Sequence, residues 1–323
     1  MKTIYNIKST FLLSPEVLED NHTIEMLKSI QTPETEFGTH LHSEFIEPQR
    51  SLFEYNMGGN LADKFQIVGR RLVISGMHVH VGIPDKELRI DIMNQISYFL
   101  PHLLALSTSS PFWRGELTGL KSYRVSVFDE LPRTGLPEEF NSYDEYKRHI
   151  KILLNSGILD DPSTIWWDLR PNVKFPTLEM RICDTCTSLT DAISIAALYL
   201  CIIHMACRLR RENKRWRIYS KMLINENRWR AQRYGIEKSL VDFGKSKLVS
   251  YNKLADELID LVKKDAKILN CESEVKKIKN ICKVGTSADK QIKVFKEEMK
   301  KSNNKKLALD QVLKFLVKET MNF

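Results

Sequence analysis

Two histidines two residues apart, in Ser75-Gly76-Met77-His78-Val79-His80-Val81-Gly82, are placed to act together. The segment alternates, is rich in valine and is closed by glycine at both ends, which predicts a strand. Residues i and i+2 of a strand project to one face, so His78 and His80 stand side by side, with Met77, Val79 and Val81 behind them. Three other segments read the same way. In Pro176–Asp184, "PTLEMRICD", Glu179 and Arg181 share a face with Thr177 and Cys183, opposite Leu178, Met180 and Ile182. In Ser163–Arg170, Asp168 and Arg170 share a face; in "SYRVSVF", Arg124 and Ser126 face away from Tyr123, Val125 and Val127. The expected result is four strands with an apolar back and a front of His, Glu, Asp and Arg. One side of an antiparallel sheet often simply meets water. This front, however, is short of lysine and rich in arginine, the side chain suited to forked recognition of phosphate or carboxylate. A carboxylate beside histidines also suits a divalent cation. Metal–phosphate chemistry is the expectation.

The common phosphate motifs are absent. Gly244-Lys245-Ser246 has Ser239 where a P-loop requires its first glycine, and no glycine-rich dinucleotide fingerprint opens a βα unit. ATP binding would have to run through a metal and arginines across a sheet.

The elements that must carry this front come from patterning. A helix is expected over Asp85–Ser107, kinked or cut short by Pro101. Residues 132–161 read as a polar loop-helix region, and residues from 188 onward as helices at about 188–211, 216–233, 252–270, 287–301 and 307–319. The fold class is therefore α+β, with a sheet-rich part over 37–187 and a helical part over 188–323. The 323 residues, 42% hydrophobic and 28% charged, fit a soluble globular chain and argue against disorder. Phe11-Leu12-Leu13 is too short for a secretory signal. Six scattered cysteines then read as free thiols in a reducing cytoplasm, and Cys183-Asp184-Thr185-Cys186 lacks the second pair of a zinc site. The apolar run from Asp191 to Arg208 contains Ser194 and His204 and reads as a core helix rather than a membrane span. Residues 208–323 carry 30 Lys+Arg against 15 Asp+Glu, whereas residues 1–207 carry 19 against 26. These lysines alternate with acids on helices of clear apolar period (Leu254, Leu258, Leu261, Val262), a solvated-face pattern that argues against nucleic acid as partner.

"SGMHVHVGIPD", "LPHLLALSTSSPFWRGELTGLKSYR", "LPRTGLPEEF", "IWWDLRPNVKFPTLEMRICD" and "ENRWRAQRYGI", in that order, resemble the type 2 glutamate–cysteine ligases, the bacterial carboxylate–amine ligases. "GMHVH" and "LEMR" are also similar to the metal- and nucleotide-binding strands of the glutamine synthetase superfamily. The resemblance runs over residues 37–323 and implies a curved antiparallel sheet whose concave face holds ATP and Mg2+. It implies His78 and Glu179 as metal ligands, with His80 beside them. Arg181 and Arg124 would join Glu179 in catalysis, and Arg170 would clamp phosphate or substrate carboxylate. The implied substrates are small carboxylates and amines, glutamate and cysteine among them.

The chain also departs from that pattern. Residues 1–36 show no counterpart of the family's first strand, with its Gly-x-Glu-x-Glu carboxylates, and read as a divergent segment. Glu34 and Glu36 are candidate surrogates, and Leu117 stands where aspartate is usual. Loss of carboxylates would weaken Mg2+ binding, because Mg2+ demands nearly complete oxygen coordination. Two readings follow: an ATP-dependent ligase with weak glutamate–cysteine ligase activity, or a shortened relative that binds without catalysing. A truncated sheet would leave an orphan edge that a homodimer could pair.

Overall fold

The computed structural model describes residues 5–9, 60–69, 71–72 and 74–321. In chain order they form β1 (Tyr5–Ser9), α1 (Asn60–Gly69), β2 (Met77–Gly82), α2 (Lys86–Ile96), α3 (Leu100–Ser107), β3 (Phe112–Trp113), β4 (Glu116–Leu117) and α4 (Tyr123–Phe128). There follow β5 (Thr134–Gly135), α5 (Tyr143–Asn155), β6 (Trp166–Trp167), β7 (Leu169–Pro171), β8 (Thr177–Met180) and α6 (Leu189–Arg211). The chain ends with α7 (Lys221–Tyr234), β9 (Leu240–Asp242), β10 (Lys247–Val249), α8 (Tyr251–Ile268), α9 (Glu272–Lys276), α10 (Ile278–Val284), α11 (Ser287–Ser302) and α12 (Lys305–Thr320). It is an α+β fold. Two compact units arise, Met1–Met93 with Arg124–Ile182, and Asn94–Tyr123 with Cys183–Phe323.

The first unit is built on an antiparallel sheet of order β1-β2-β8-β7. Its register pairs His80 with Glu179 and Glu179 with Arg170, which puts all three on one face. The opposite face follows the expected alternation: Val79, Val81, Leu178, Met180 and Leu169 are buried. Glu179, at 2% exposed, is also buried, so the polar front is not a water-facing side.

Three expectations are corrected here. The stretch 1–36 supplies a strand after all: β1 pairs with β2, Lys8 opposite His78 and Asn6 opposite His80. Its sequence, Tyr-Asn-Ile-Lys-Ser, holds no carboxylate and is too short for its alternation to stand out. β2 is thus paired on both sides, and the edges of this sheet are β1 and β7. "SYRVSVF" is helical in α4, not a strand. Five alternating residues fit either period. Here the Arg124 guanidinium lies 5.5 Å from the Phe128 ring centroid, the i,i+4 contact of a helix. The strand expected over Ser163–Arg170 is broken at Asp168, whose N–H donates to Gly135 O (2.8 Å) while its carbonyl accepts from Arg181 N (2.8 Å). Trp166–Trp167 pair in parallel with Thr134–Gly135, and Leu169–Pro171 pair with β8. Glu34, Glu36 and the start of the family-like region near Phe37 lie outside the described residues.

The second unit is largely helical. The expected helix over Asp85–Ser107 divides into α2, which lies mostly in the first unit, and a 3-10 turn at Ser97–Phe99 and α3 in the second, with Pro101 in the first turn of α3, where a missing N–H costs nothing. α6 is long and apolar enough to cross a membrane, yet two thirds of its apolar window is buried within the protein, the pattern of a core helix. On α8, Leu254, Leu258, Ile259 and Val262 are buried and Lys253, Lys263, Lys264 and Lys267 exposed, so the lysines form a solvated face. The "ENRWRAQRYGI" stretch holds α7 to the β9–β10 hairpin. Asn227 donates to Val241 O (2.8 Å) and accepts from Val241 N (2.7 Å), and Arg230 Nε donates to Ser239 O (2.8 Å).

Candidate active site

The first unit gathers His78, His80, Arg124, Arg170 and Arg181 around one carboxylate, Glu179. Glu179 sits mid-strand on β8, and both of its oxygens are engaged. Oε1 accepts from Arg181 Nη1 (2.5 Å), and Oε2 accepts from Arg170 Nε (2.9 Å) and Asn172 Nδ2 (2.9 Å). His78 Nδ1 and His80 Nε2 stand 3.7 and 3.8 Å from Oε1. Arg124 belongs to the same cluster through the backbone: Nη1 donates to Ile182 O (3.1 Å) and Nη2 to Arg181 O (3.0 Å). The guanidiniums of Arg124 and Arg181 both lie over the Phe128 ring, at 5.5 and 5.9 Å from its centroid. This close approach explains the glycine ahead of the histidines, because a Cβ on Gly76 would overlap the Arg124 guanidinium.

Three guanidiniums around one carboxylate leave the cluster positive. Burial alone would raise the Glu179 carboxyl; Arg181 and then Arg170 outweigh it and hold the group well below the usual carboxylate range. His78 is pushed well below its ordinary value, first by burial and then by the Arg181 charge, so it is neutral near pH 7. Burial also lowers Arg181, to about 10, which leaves it charged. Arg181 Nε is buried with no acceptor, a donor that a bound anion could satisfy.

The same residues do not fit Mg2+. Among the described residues no group of three or more His, Cys, Asp or Glu could hold a metal ion. Glu179 is the one carboxylate of the cluster, its oxygens are committed to arginines and Asn172, and Mg2+ prefers oxygen to imidazole.

Several participants were not legible beforehand. Asn172 sits in the β7–β8 turn, where it also accepts from Lys174 N (2.9 Å) and Phe175 N (3.0 Å), so it reads as an ordinary turn residue. Thr177 pairs with His80 Nδ1 (3.1 Å). Arg170 spans two features. Its Nη1 donates to the carbonyls of Ser163 (2.6 Å) and Ile165 (2.5 Å), and the Ile165 side chain helps line a cavity of about 360 Å³. Phe140 and Trp167 line that cavity together with three acidic residues, Glu138, Glu139 and Glu145, and with Arg133 and His149.

The fold places an arginine-rich cluster around Glu179 on the polar face of a small antiparallel sheet. The family model for glutamate–cysteine ligase family 2 matches residues 28–308. A Rhodospirillum rubrum protein provisionally named glutamate–cysteine ligase 2 is 54% identical over 261 residues, covering 81% of this chain and 67% of the relative. A Herpetosiphon aurantiacus protein of the same name is 43% identical over 284 residues, covering 88% and 71%. The crystal structure of a Francisella tularensis glutamate–cysteine ligase in complex with AMP superposes with a TM-score of 0.51 at 15% identity, over 78% of this chain and 65% of that one, which speaks for the fold alone. The chain belongs to glutamate–cysteine ligase family 2, a class of ligases that form C–N bonds. It spans about two thirds of the length of the curated relatives it matches.

Proposed function

We propose that the protein is an ATP-dependent carboxylate–amine ligase joining glutamate, or a similar small carboxylate, to an amine such as cysteine. The observation that carries this is the set of three buried guanidiniums around Glu179, with Arg181 Nε left without an acceptor. Family membership supports the reaction class, and the AMP held by the Francisella tularensis ligase is in keeping with a nucleotide substrate.

In this reading a carboxylate oxygen of the substrate attacks the γ-phosphorus of ATP, the bond to ADP breaks, and an acyl phosphate forms. The amine nitrogen then attacks the acyl carbon, phosphate leaves, and the nitrogen loses its proton. Negative charge accumulates on phosphoryl oxygens in both steps, and fixed guanidiniums meet it without reorganising. Arg181 and Arg124 contact the transferring phosphoryl group, while Arg170 orients the substrate carboxylate. Glu179 fixes the aim of Arg170 and Arg181, neutral His78 adds no charge, and His80 stands beside it. Burial keeps water from an acyl phosphate that would otherwise hydrolyse. The cavity beside Ile165, where three glutamates outnumber Arg133, offers room for the amine.

ADP release from purified protein given Mg2+–ATP and glutamate, with and without a pool of amino acids and small amines, tests the reading. Saturable, amine-dependent release is expected. Folded protein releasing no ADP would instead make the chain a binding relative, and release of the same amount without amine would replace the ligase reading with simple ATP hydrolysis.

A further inference from the structure

The second unit contains a pair of thiols that the ligase reading does not use. Cys201 lies in α6 and is completely buried; Cys271 lies in the turn before α9 and is partly exposed. Their sulfurs are 3.4 Å apart although 70 residues separate them in sequence. A disulfide bond is about 2.0 Å long, so closure needs a side-chain shift of little more than 1 Å.

The surroundings hold the pair in place. Asp265 on α8, fully buried, accepts from Arg208 Nε (3.0 Å) and Nη2 (2.8 Å) and is 2.7 Å from His204 Nδ1, both partners being on α6. This clamp fastens α6 to the end of α8, six residues before Cys271 and one to two turns from Cys201. The Cys271 N–H donates to Ala266 O (3.0 Å), which ties the turn to the same helix. The two sulfurs are also unequal. Cys201 is completely buried and Cys271 is partly exposed. The exposed sulfur is therefore the one a small disulfide reaches first, and the buried one, 3.4 Å away, is positioned to resolve it.

We propose that Cys201 and Cys271 form an oxidisable dithiol site that reacts with low-molecular-weight disulfides. The Cys271 thiolate attacks one sulfur of the small disulfide; that S–S bond breaks, one small thiolate leaves, and a mixed disulfide remains on Cys271. Cys201 gives up its proton and attacks the Cys271 sulfur. The Cys201–Cys271 bond forms and the second small thiol departs. Two protein thiols are oxidised and one small disulfide is reduced to two thiols, so electrons and protons balance. The product staples α6 to the α8–α9 turn and closes a long loop, which constrains the unfolded chain.

The test uses the full chain, reduced and then exposed to 2-hydroxyethyl disulfide. Expected are loss of two of the six free thiols, an intact mass lower by about 2 Da, and a cross-linked peptide joining Cys201 to Cys271. Tm should rise by roughly 5 °C and return on reduction. Cys201→Ser should stop at a stable mixed disulfide on Cys271, and Cys271→Ser should form no cross-link. If Cys201→Ser fails to fold, Cys201→Ala serves the same comparison, and peptide mapping of the unmodified sequence decides alone. An unchanged thiol count, or mixed disulfides confined to Cys207 and Cys282, would overturn the proposal. Since the readouts are mass and thiol count, the result does not depend on ligase activity.

Discussion

Replacing Glu179 by glutamine is expected to lower amine-dependent ADP release by roughly 100- to 1,000-fold, the scale seen when one preorganised electrostatic group is lost from a reaction centre. Glutamine keeps the shape but not the charge, and its amide NH2 points a donor at a guanidinium donor. Arg170 and Arg181 lose the carboxylate that holds their orientation, although neither is itself altered. The variant should also be less stable at pH 7, by about 3–5 kcal/mol, because two buried guanidiniums lose their counter-charge. The pH dependence has a definite sign. The Glu179 carboxyl is depressed in the folded protein, so its contribution is fully present above the unfolded carboxyl's value of about 4.3 and fades as pH falls below it. Denaturant titrations of both proteins should therefore give a large stability gap at pH 7 that narrows by pH 3. A gap of constant size, or full turnover by the variant, would remove Glu179 from its assigned place.

The second large effect is expected at Arg170, which is 8% exposed and meets four acceptors: both Glu179 oxygens and the carbonyls of Ser163 and Ile165. Arg170→Ala leaves Glu179 with Arg181 as its only strongly bonded cation and strands two carbonyls. A loss of about 3–5 kcal/mol is expected at neutral pH. Arg170→Lys restores the charge but not the fork, since one ammonium cannot reach a carboxylate and two carbonyls in different directions. It should recover less than half of the loss in denaturant titration. Lysine performing within about 0.5 kcal/mol of arginine would mean that charge, not geometry, is what the position supplies.

Much of this site can be read from strand periodicity. Period 2 places His78 with His80 and Glu179 with Arg181, and the register then joins His80, Glu179 and Arg170 across three strands. Arg124 reaches the same cluster by another route. Its segment alternates over only five residues, and helix rather than strand prevails, with Arg124 packed over Phe128. What stays hidden depends on tertiary position. Asn172 looks like a turn residue because it is one, and nothing local shows that its amide also meets Glu179. β1 is hidden because Tyr5–Ser9 carries too few alternating positions to distinguish it from loop. The expectation of a metal floor meets a different arrangement among the described residues. His, Glu and Arg on one face suit a cation or an anion equally, and only the distances show that the arginines occupy the carboxylate.

The most direct test of the central claim follows an oxygen atom. Glutamate labelled with 18O in its carboxylates is supplied with Mg2+–ATP and an amine that supports ADP release, and the released phosphate is weighed by mass spectrometry. Passage through an acyl phosphate carries one labelled oxygen from the carboxylate into each phosphate. Amide formation accompanied by unlabelled phosphate would contradict the mechanism and, with it, the role assigned to the arginine cluster.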